Sequence, residues 1–282
     1  MKAISKASWI LFLGLALLFP VSGVAGDRGK NASNPENGKI QENRPQVHTR
    51  SATPAAQGQS PEDNKKDGDL GKPSTMPIYK PPLRGSPAGR VAGGTRGTRA
   101  ELPYLCLLVP DHVGLTTQAQ PLLYYFISHP TQCPMEFTLI ESNGVYPLVE
   151  TRIGSPKEPG VHVIRLAGYN INLEKNKKYR WFIALVPDDQ HRSKDLLASG
   201  AIELIALQDG LKKALQGAPE REAPYLYAEA GIWYDALSAV STLLERSPGN
   251  SEFRKERASL LEQVGLTRAA QYEMRVGKIS DE

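Results

Sequence analysis

The chain has 282 residues and a formal net charge of +4 at pH 7, enough for one ordinary domain with additional segments but too little for two large domains. So small a positive excess, without a clustered basic face, argues against a nucleic-acid-binding protein. The sequence also lacks the phosphate-binding loop, the nucleophile elbow and the His-Glu-x-x-His helix of several large enzyme classes.

The amino end has the layout of a cleavable signal peptide. Lys2 and Lys6 provide positive charge, an apolar run follows from Trp9 to Phe19, and small residues lead to Ala25. The apolar run is shorter than the ~20 residues that span a bilayer. The sequence therefore predicts cleavage after Ala25, removal of residues 1–25, and an exported protein, periplasmic or secreted, without a transmembrane segment in the mature chain.

Two segments of unusual composition follow. Residues 26–75 contain no aromatic side chain and are rich in polar residues, glycine and proline, which predicts a disordered linker. Residues 76–101 form an arm rich in arginine, glycine and proline, whose arginines can offer planar guanidinium groups to an anion or to a partner's carboxylates. The alternative is an extended arm that lies along the folded domain with its arginines exposed. These arginines are Arg84, Arg90, Arg96 and Arg99.

Residues 102–207 contain seven short apolar or alternating runs separated by turn residues, which predicts β-strands. Asn143-Gly144 predicts a hairpin with a type I′ turn, Pro147 places the following strand at an edge or a bulge, and Tyr179–Val186 should be a central strand because it is apolar on both faces. Strands without intervening helices indicate an antiparallel sandwich. The runs are Tyr104–Val109, Leu122–Ile127, Met135–Ile140, Val145–Ile153, Val161–Leu166, Tyr179–Val186 and Ala201–Ala206.

Residues 208–276 change to a helical period, and residues 277–282 are predicted to be a tail. Leucines recur at three- and four-residue steps until Gly217. A long helical or helix–turn–helix stretch, Tyr225–Arg246, ends at a break that begins with Ser247, and a further helix should run from Ser251 to about Val264. A last short helix is predicted from Thr267 to about Arg275.

Cys106 and Cys133 are the only cysteines. In an oxidising compartment they could form a disulfide. Alternatively Cys106, which lies inside an apolar run, is a small buried hydrophobic residue. The sequence leaves both readings open, because the Cα separation decides between them.

Several short motifs resemble, in the same order, those of an exported bacterial family known as domain of unknown function 928. The resemblance covers roughly residues 76–265 and implies an exported domain with no assigned activity. Many members have a cysteine after the Thr-Arg-Gly segment, where this chain has Thr98 and Arg99, so a family disulfide at that position does not carry over. The motifs include Tyr79-Lys80-Pro81-Pro82, Gly93-Gly94-Thr95-Arg96-Gly97, Leu108-Val109-Pro110, Gly114-Leu115-Thr116-Thr117, Tyr179-Arg180-Trp181 and Tyr227-Ala228-Glu229-Ala230-Gly231-Ile232-Trp233-Tyr234-Asp235-Ala236-Leu237.

A second, partial resemblance concerns the helical region. The residues that carry it match the second half of a tetratricopeptide unit, and they are Gly231, Trp233, Ala236, Val240, Leu243 and Pro248. Pro224 departs from the first half of the unit. One unit cannot bury its own apolar face, so we expect a helical hairpin that docks on the sandwich.

Aromatic residues of this hairpin are candidates for partner contact or for core packing. Tyr227, Trp233 and Tyr234 could line a groove, as could Tyr225. At helical spacing such residues are more often core. We expect Trp233 to be the packing anchor and Tyr234 to point away from it, as the better candidate for an exposed contact.

Other polar groups suggest catalytic or metal chemistry only weakly. Asp188-Asp189-Gln190-His191 contains metal-ligating residue types, but a site needs three or four convergent groups, and the segment has the composition of a solvated loop. Neither a metal nor a cofactor is predicted. Paired glutamates about 5–10 Å apart could serve glycoside hydrolysis, but solvated positions on the outer face of the sheet are the preferred explanation. The residues in question are Glu136, Glu141 and Glu150, with His112, His129 and His162 as further catalytic candidates.

The sequence therefore predicts an α+β protein: an antiparallel, immunoglobulin-like or related β-sandwich followed by a small helical subdomain. The expected function is that of a non-catalytic module that binds another envelope protein. One alternative is a glycan- or peptidoglycan-binding sandwich with exposed aromatics such as Tyr124 or Tyr146. The other is an unrecognised hydrolase.

Overall fold

The computed structural model describes residues 76–82, 90–91 and 102–280, with side chains as far as Gly277. The predicted signal peptide and linker, residues 1–75, lie outside this part of the chain, as does most of the arm. The described residues contain both β-sheets and helices, so the α+β composition predicted from the sequence is confirmed.

Eight strands form two sheets. The three-stranded sheet has the order β1-β3-β6, and the five-stranded sheet has the order β2-β8-β7-β4-β5. The central position predicted for Tyr179–Val186 is confirmed, because β7 lies between β8 and β4. The strands are β1 (Leu105–Leu107), β2 (Gly114–Thr116), β3 (Leu122–Ile127), β4 (Met135–Glu141), β5 (Val149–Ile153), β6 (Gly160–Arg165), β7 (Lys178–Leu185) and β8 (Leu196–Leu204).

The five-stranded sheet is mixed rather than purely antiparallel. Its β2 runs parallel to β8, with Gly114 opposite Ile202 and Thr116 opposite Leu204. The expectation of an all-antiparallel sandwich is wrong at this edge. Because β2 has only three residues, it is too short to display the alternation by which strands are recognised in sequence.

The predicted hairpin exists, but its turn type was wrong. β4 and β5 pair antiparallel from Met135 opposite Ile153 to Leu139 opposite Val149. Asn143 and Gly144 are not among the described residues with positive φ, so the connection is a longer loop and not a type I′ turn. As Pro147 predicted, β5 lies at the edge of its sheet.

Five helices follow the strands. The break predicted at Ser247 is confirmed, and Asn250 caps the next helix by accepting hydrogen bonds from the backbone N–H groups of Glu252 and Phe253. The last helix continues to Ser280 and so includes part of the predicted tail. The helices are α1 (Asp209–Gly217), α2 (Ala223–Glu229), α3 (Trp233–Arg246), α4 (Ser251–Gln263) and α5 (Thr267–Ser280).

Two glycines turn the chain between paired helices. Gly231 separates α2 from α3 with φ +74°, and Gly265 separates α4 from α5 with φ +71°. Residues other than glycine adopt this left-handed conformation only at a cost. Each glycine therefore lets one helix fold back against the preceding one.

The sheets and helices share one hydrophobic core. A single buried cluster includes Leu107 of β1, Trp181 of β7, Trp233 of α3, Leu261 of α4 and Ala270 of α5. The helices thus complete the core of the sheets. None of the helices described is long and apolar enough to cross a membrane.

Candidate functional site

Three consecutive residues at the start of α3 attach the helices to the sheets. The Trp233 indole N–H donates to the carbonyl of Leu108 at 2.8 Å. The Tyr234 hydroxyl donates to the carbonyl of Ala201 at 3.1 Å and accepts from the Trp181 indole at 2.9 Å. The predicted role of Trp233 as a packing anchor is confirmed, because its side chain is completely buried.

The exposed role predicted for Tyr234 is wrong, since the residue is 1% exposed. Helical spacing placed its side chain away from Trp233, but the start of α3 is enclosed on more than one side. Trp233 is not available as a partner contact either. Tyr227, the remaining residue of this predicted set, is half-buried.

Asp235 completes the attachment. Its carboxylate accepts a hydrogen bond from the Thr116 hydroxyl at 2.6 Å and another from the Thr117 backbone N–H at 2.9 Å. The Thr117 hydroxyl also donates to it. Burial raises the pKa of Asp235, and these donors oppose the rise. Because three donors satisfy it, this buried carboxylate has a structural explanation and needs no catalytic one.

The start of the arm packs against the helices. Tyr79 is buried, its ring lies edge-on to Trp233 with centroids 5.0 Å apart, and its hydroxyl is 3.2 Å from His112 Nε2. The Lys80 backbone N–H donates to the carbonyl of Ala228 at 3.0 Å. Residues 79–80 are therefore part of the folded domain.

Arg90 makes internal contacts. Its guanidinium donates to the carbonyls of Val109 and Val264 at 2.9 and 2.8 Å and lies 3.2 Å from the Asp111 carboxylate. The side chain is 13% exposed, so Arg90 links the end of β1 to the end of α4 and is not free to bind an anion. The other three predicted arginines, Arg84, Arg96 and Arg99, lie outside the described residues.

The two cysteines are free thiols in the structure. Cys106 is buried in β1, whereas Cys133 precedes β4 of the other sheet and is half-buried. Burial raises the pKa of Cys106 to about 11, so its thiol is protonated at neutral pH. Of the two readings that the sequence left open, the structure has the small buried hydrophobic residue at Cys106.

The catalytic candidates are held by neighbouring groups. Arg192 donates two hydrogen bonds to Glu136, at 2.5 and 3.1 Å, and Glu141 lies 3.4 Å from the ammonium of Lys177. Glu150 is exposed on the same face of the sheet as Glu136. His112 lies beside the Tyr79 hydroxyl and the carbonyl of Val113, His129 beside the Ser128 hydroxyl, and His162 beside the carbonyl of Glu158.

The acidic loop after β7 forms ion pairs. Asp188 lies 2.6 Å from His191 and 2.8 Å from Lys194, and hydrogen bonds from these two residues hold its pKa below the ordinary value. Asp189 pairs with Arg152 at 2.9 Å. Within the described ranges, no group of three or more potential ligands is arranged to hold a metal ion.

Two tyrosines were predicted to be exposed for glycan binding. Tyr124 is only 2% exposed, so the prediction that it is exposed is wrong. At this point α3 covers the face of β3 that carries Tyr124. Tyr146 is 84% exposed. Of the two tyrosines, only Tyr146 is therefore exposed, and the two do not form a row of exposed aromatic residues.

The most unusual surface of the described residues is the loop between β4 and β5. Val145 is 82% exposed, Tyr146 84% and Leu148 50%. Isolated exposed apolar residues are normal, but several together mark an interaction site more often than an ordinary surface. We call these three residues the apolar loop.

The apolar loop continues into the open edge of a sheet. β5 pairs only with β4 among the described strands, so the backbone groups on its other side have no strand partner. Along β5 the half-buried residues Val149, Thr151 and Ile153 alternate with exposed Glu150 and Arg152. This arrangement can accept an additional strand.

Sequence reasoning placed these residues in a strand; it named Tyr146 as an exposed aromatic residue but missed the exposure of Val145 and Leu148. Val145–Ile153 was predicted as one strand, but the structure begins the strand at Val149. The available signal was Pro147, since it cannot donate a hydrogen bond to a ladder. Apolar residues on either side of such a proline, outside a ladder, are candidates for exposure.

Comparisons with known proteins identify a family for this chain but no curated relative. No curated protein matches the chain. A solved structure of a multi-domain immunophilin from Arabidopsis thaliana is 10% identical, with a TM-score of 0.17, over 60% of this chain and 99% of that one; this likeness carries no information on the fold. The family described as Domain of Unknown Function (DUF928) matches residues 91–274. The chain therefore belongs to the DUF928 family.

Proposed function

We propose that this chain is a non-catalytic protein-interaction module that binds an extended segment of another exported protein along β5. The observation that carries the proposal is the apolar loop, whose three side chains are 50–84% exposed, beside a strand edge that no described strand covers. Main-chain hydrogen bonds to the edge would supply affinity, and side-chain contacts would supply selectivity.

The charges on β5 define the partner's chemistry. Arg152 already pairs with Asp189 at 2.9 Å and approaches Glu136 at 3.8 Å. Glu150 is exposed, and no described residue pairs with it. An opposite charge directly across a strand pair is favourable. The segment should therefore place Lys or Arg opposite Glu150 and apolar residues against Val149 and the apolar loop.

These charges also argue against indiscriminate pairing. Open strand edges promote aggregation, and charged residues or proline at the edge limit it. β5 carries Glu150 and Arg152 and is preceded by Pro147. An edge with such protection accepts a segment of complementary charge more readily than an unmatched one.

The test is site-specific crosslinking in living cells. A photoreactive amino acid at position 146 should crosslink to one partner, and peptide mapping should place the link in an extended segment with a basic residue. The same probe at position 78 is the matched control, because Ile78 is also apolar and exposed (56%) but belongs to the arm.

Substitutions in the apolar loop test the same surface directly. Tyr146→Asp with Leu148→Asp should abolish the crosslinked complex, whereas Ile78→Asp should leave it intact. A complex that survives the double change, or no partner from correctly folded and located protein, contradicts the proposal. Capture of a cell-wall glycan at position 146 would favour the glycan-binding alternative, and capture of the chain itself would indicate self-association.

The proposal also covers the cellular location of the protein and the details of its fold. We infer that residues 1–25 are removed as a signal peptide and that residues 26–75 tether the domain; amino-terminal sequencing of the protein from cell fractions tests this. The sharing of one core by both sheets supports a sandwich of the immunoglobulin-like or a related kind. The spacing of 34 residues between Gly231 and Gly265, the tetratricopeptide period, supports a tetratricopeptide-like arrangement of the helices.

A further inference from the structure

The helical hairpin formed by α4 and α5 carries a groove on its surface. The groove has a volume of about 550 Å³, and its floor contains two small buried residues, Ala258 of α4 and Ala270 of α5. Because these side chains are small, space remains above them between the two helices. Met274, an apolar residue that is 40% exposed, lines the same space. The groove therefore offers an apolar contact surface that is open to solvent.

The first described residues of the chain lie at this groove. Met76 lines it, and the side-chain amide of Gln263 holds the backbone that follows. This amide donates to the carbonyl of Pro77 at 2.9 Å and accepts from the backbone N–H of Tyr79 at 2.8 Å. Residues 1–75 are therefore joined to the folded domain at the groove, and the residues just before Met76 start beside its apolar space.

The groove has a basic end and an acidic end. Since α4 and α5 turn back on each other at Gly265, the start of α4 lies beside the end of α5. Lys255 and Arg275 line the groove at that end, and neither has an ion-pair partner among the described residues. Glu262 lines the opposite end, next to Gln263. An occupant with a basic residue near Gln263 and acidic residues farther along the groove would match these charges.

The segment before Met76 carries its charges in this order. Lys72 is the charged residue nearest to Met76, and Asp69 and Asp67 lie farther away along the chain. Leu70, between Lys72 and Asp69, is the only large aliphatic residue from position 48 to position 75. Exposed ion pairs contribute little to stability, so the charges would orient the segment and the burial of Leu70 would hold it in place.

The segment is also long enough to follow the groove. Glu262 and Lys255 are seven residues apart on α4, which corresponds to about 10 Å at a rise of about 1.5 Å per residue. Leu70 precedes Met76 by six residues, and an extended chain spans at most about 3.3–3.6 Å per residue. About 20 Å of chain is thus available for a path of about 10 Å, so Leu70 can reach any point of the groove.

We propose that the groove between α4 and α5 binds residues 67–75 of the same chain, with Leu70 packed against Met274 and the two alanines. The occupant is this segment because it leads through Met76 directly into the groove, and because its charges follow the order of the charges along the groove. The proposal concerns a surface that is separate from β5.

Covalent attachment makes this contact favourable. A segment that is joined to its binding site by a short connection is present at a high effective concentration, so one leucine side chain is sufficient to hold it. The folded domain then begins near Asp67, and the linker predicted over residues 26–75 is correspondingly shorter.

Photocrosslinking in the full chain tests the occupant and its direction. A photoreactive amino acid at position 274 should form an intrachain link to residues 67–75. The same probe at position 197 is the matched control, because Leu197 is an apolar residue of similar exposure (43%) that lies on β8. A probe at position 255 should link to residues 67–70, and a probe at position 262 should link to residues 72–75. Links in the reverse order, to a second copy of the chain or to another protein, would overturn the proposal.

Unfolding of the full chain in denaturant, followed by circular dichroism, measures the strength of the contact. Leu70→Asp should lower the equilibrium constant for folding about tenfold or more, as expected when a leucine side chain loses a buried position. Val47→Asp is the matched control, because it makes the same kind of change in the predicted linker outside the segment, and it should leave the constant unchanged.

A substitution in the groove completes the test. Met274→Asp changes a partly exposed residue and should lower the folding constant by a factor similar to that of Leu70→Asp. The double variant should lose little more than either single variant, because the two side chains share one contact. Equal folding constants for Leu70→Asp and Val47→Asp, or fully additive losses in the double variant, would overturn the proposal. Neither result depends on a partner at β5, so the proposed function is tested separately.

Discussion

The start of α3 and the apolar loop both combine an aromatic residue with apolar neighbours, yet they have opposite surroundings. Trp233 and Tyr234 are at most 1% exposed, and each polar atom of their rings has a partner. Tyr146 and Val145 are more than 80% exposed. Similar side chains therefore stabilise the core in one region, and we propose that they bind a partner in the other.

The backbone explains this difference. Gly231 lets α3 start close to the arm and the sheets, so its first side chains enter the core. Pro147 and the length of the β4–β5 loop keep Val145 and Tyr146 outside the ladder, which begins with the hydrogen bond from the Leu148 backbone N–H to the carbonyl of Leu139. Apolar character alone does not separate core from interface; the chain path decides it. The following changes test the comparison, from the largest expected effect to the smallest.

Trp233→Ala should produce the largest loss of stability. The change removes a fully buried ring, its contact with Tyr79 and its hydrogen bond to Leu108. Such truncations cost about 3–5 kcal/mol. Denaturant unfolding followed by circular dichroism measures the cost; a loss below about 1 kcal/mol would mean that α3 is not the attachment described above.

Gly231→Ala should cost less, about 1–3 kcal/mol for backbone strain, and steric contact would add to it. The residue has φ +74°, and an added Cβ would lie 2.6 Å from the carbonyl oxygen of Lys80. Gly249→Ala is the matched control, because no described atom lies within 4 Å of its Cβ. Equal stabilities of the two variants would contradict the tight packing of the arm at Gly231.

Asp235→Asn should cost about 1–3 kcal/mol at neutral pH, because the amide replaces an acceptor that Thr116 and Thr117 need. Burial raises the folded pKa of Asp235 above its unfolded value of about 3.9. Its contribution is therefore fully favourable below about pH 3.9 and decreases as the pH rises through the folded pKa. Unfolding across this range should show that decrease in the unchanged chain and not in the variant.

Alkaline pH should destabilise the protein through its buried tyrosines. Burial raises the pKa of Tyr125 from 10.0 to about 12. The folded chain thus holds this proton more tightly, and stability is lost as the pH rises from about 10 to about 12, by up to about 1.4 kcal/mol per pH unit. Tyr125→Phe should reduce that slope, and an unchanged slope in this variant would contradict the prediction.

Tyr146→Ala should have the smallest effect on stability, within about 0.5 kcal/mol, as is usual for surface positions. The difference in stability loss between Tyr146→Ala and Trp233→Ala is the most direct test of the comparison between the apolar loop and the start of α3. If Tyr146→Ala unfolds the protein as readily, the apolar loop is part of the core in solution, and the proposed contact surface is lost with it.

Local features were predictable from the sequence where local chemistry determines them. β3 has the predicted bounds, Leu122–Ile127, because six apolar residues lie between clear turn residues. Pro147 indicated the edge strand, and the break that begins with Ser247 indicated the end of a helix. The predicted strand and helix order followed from such local signals.

Features that depend on distant residues were not predictable. β2 forms a strand only because β8 lies beside it, and Tyr234 is buried only because Ala201 and Trp181 enclose it. A polar pocket is lined by residues of β3, β6, α3 and α4, and its two arginines, Arg254 and Arg257, look like ordinary surface residues of a polar helix in the sequence. No periodicity shows that Tyr124 and Arg257 line the same cavity.

The contact between the arm and the helices also bears on the order of events during synthesis. The Tyr79 backbone N–H donates to the side chain of Gln263, 184 residues later, at 2.8 Å. Among the described residues, those that leave the ribosome first therefore make this contact only after some of the last have been synthesised. Contacts of such long range slow folding, and a truncation before Gln263 would remove this tie between the arm and α4 even though every described strand would already have been made.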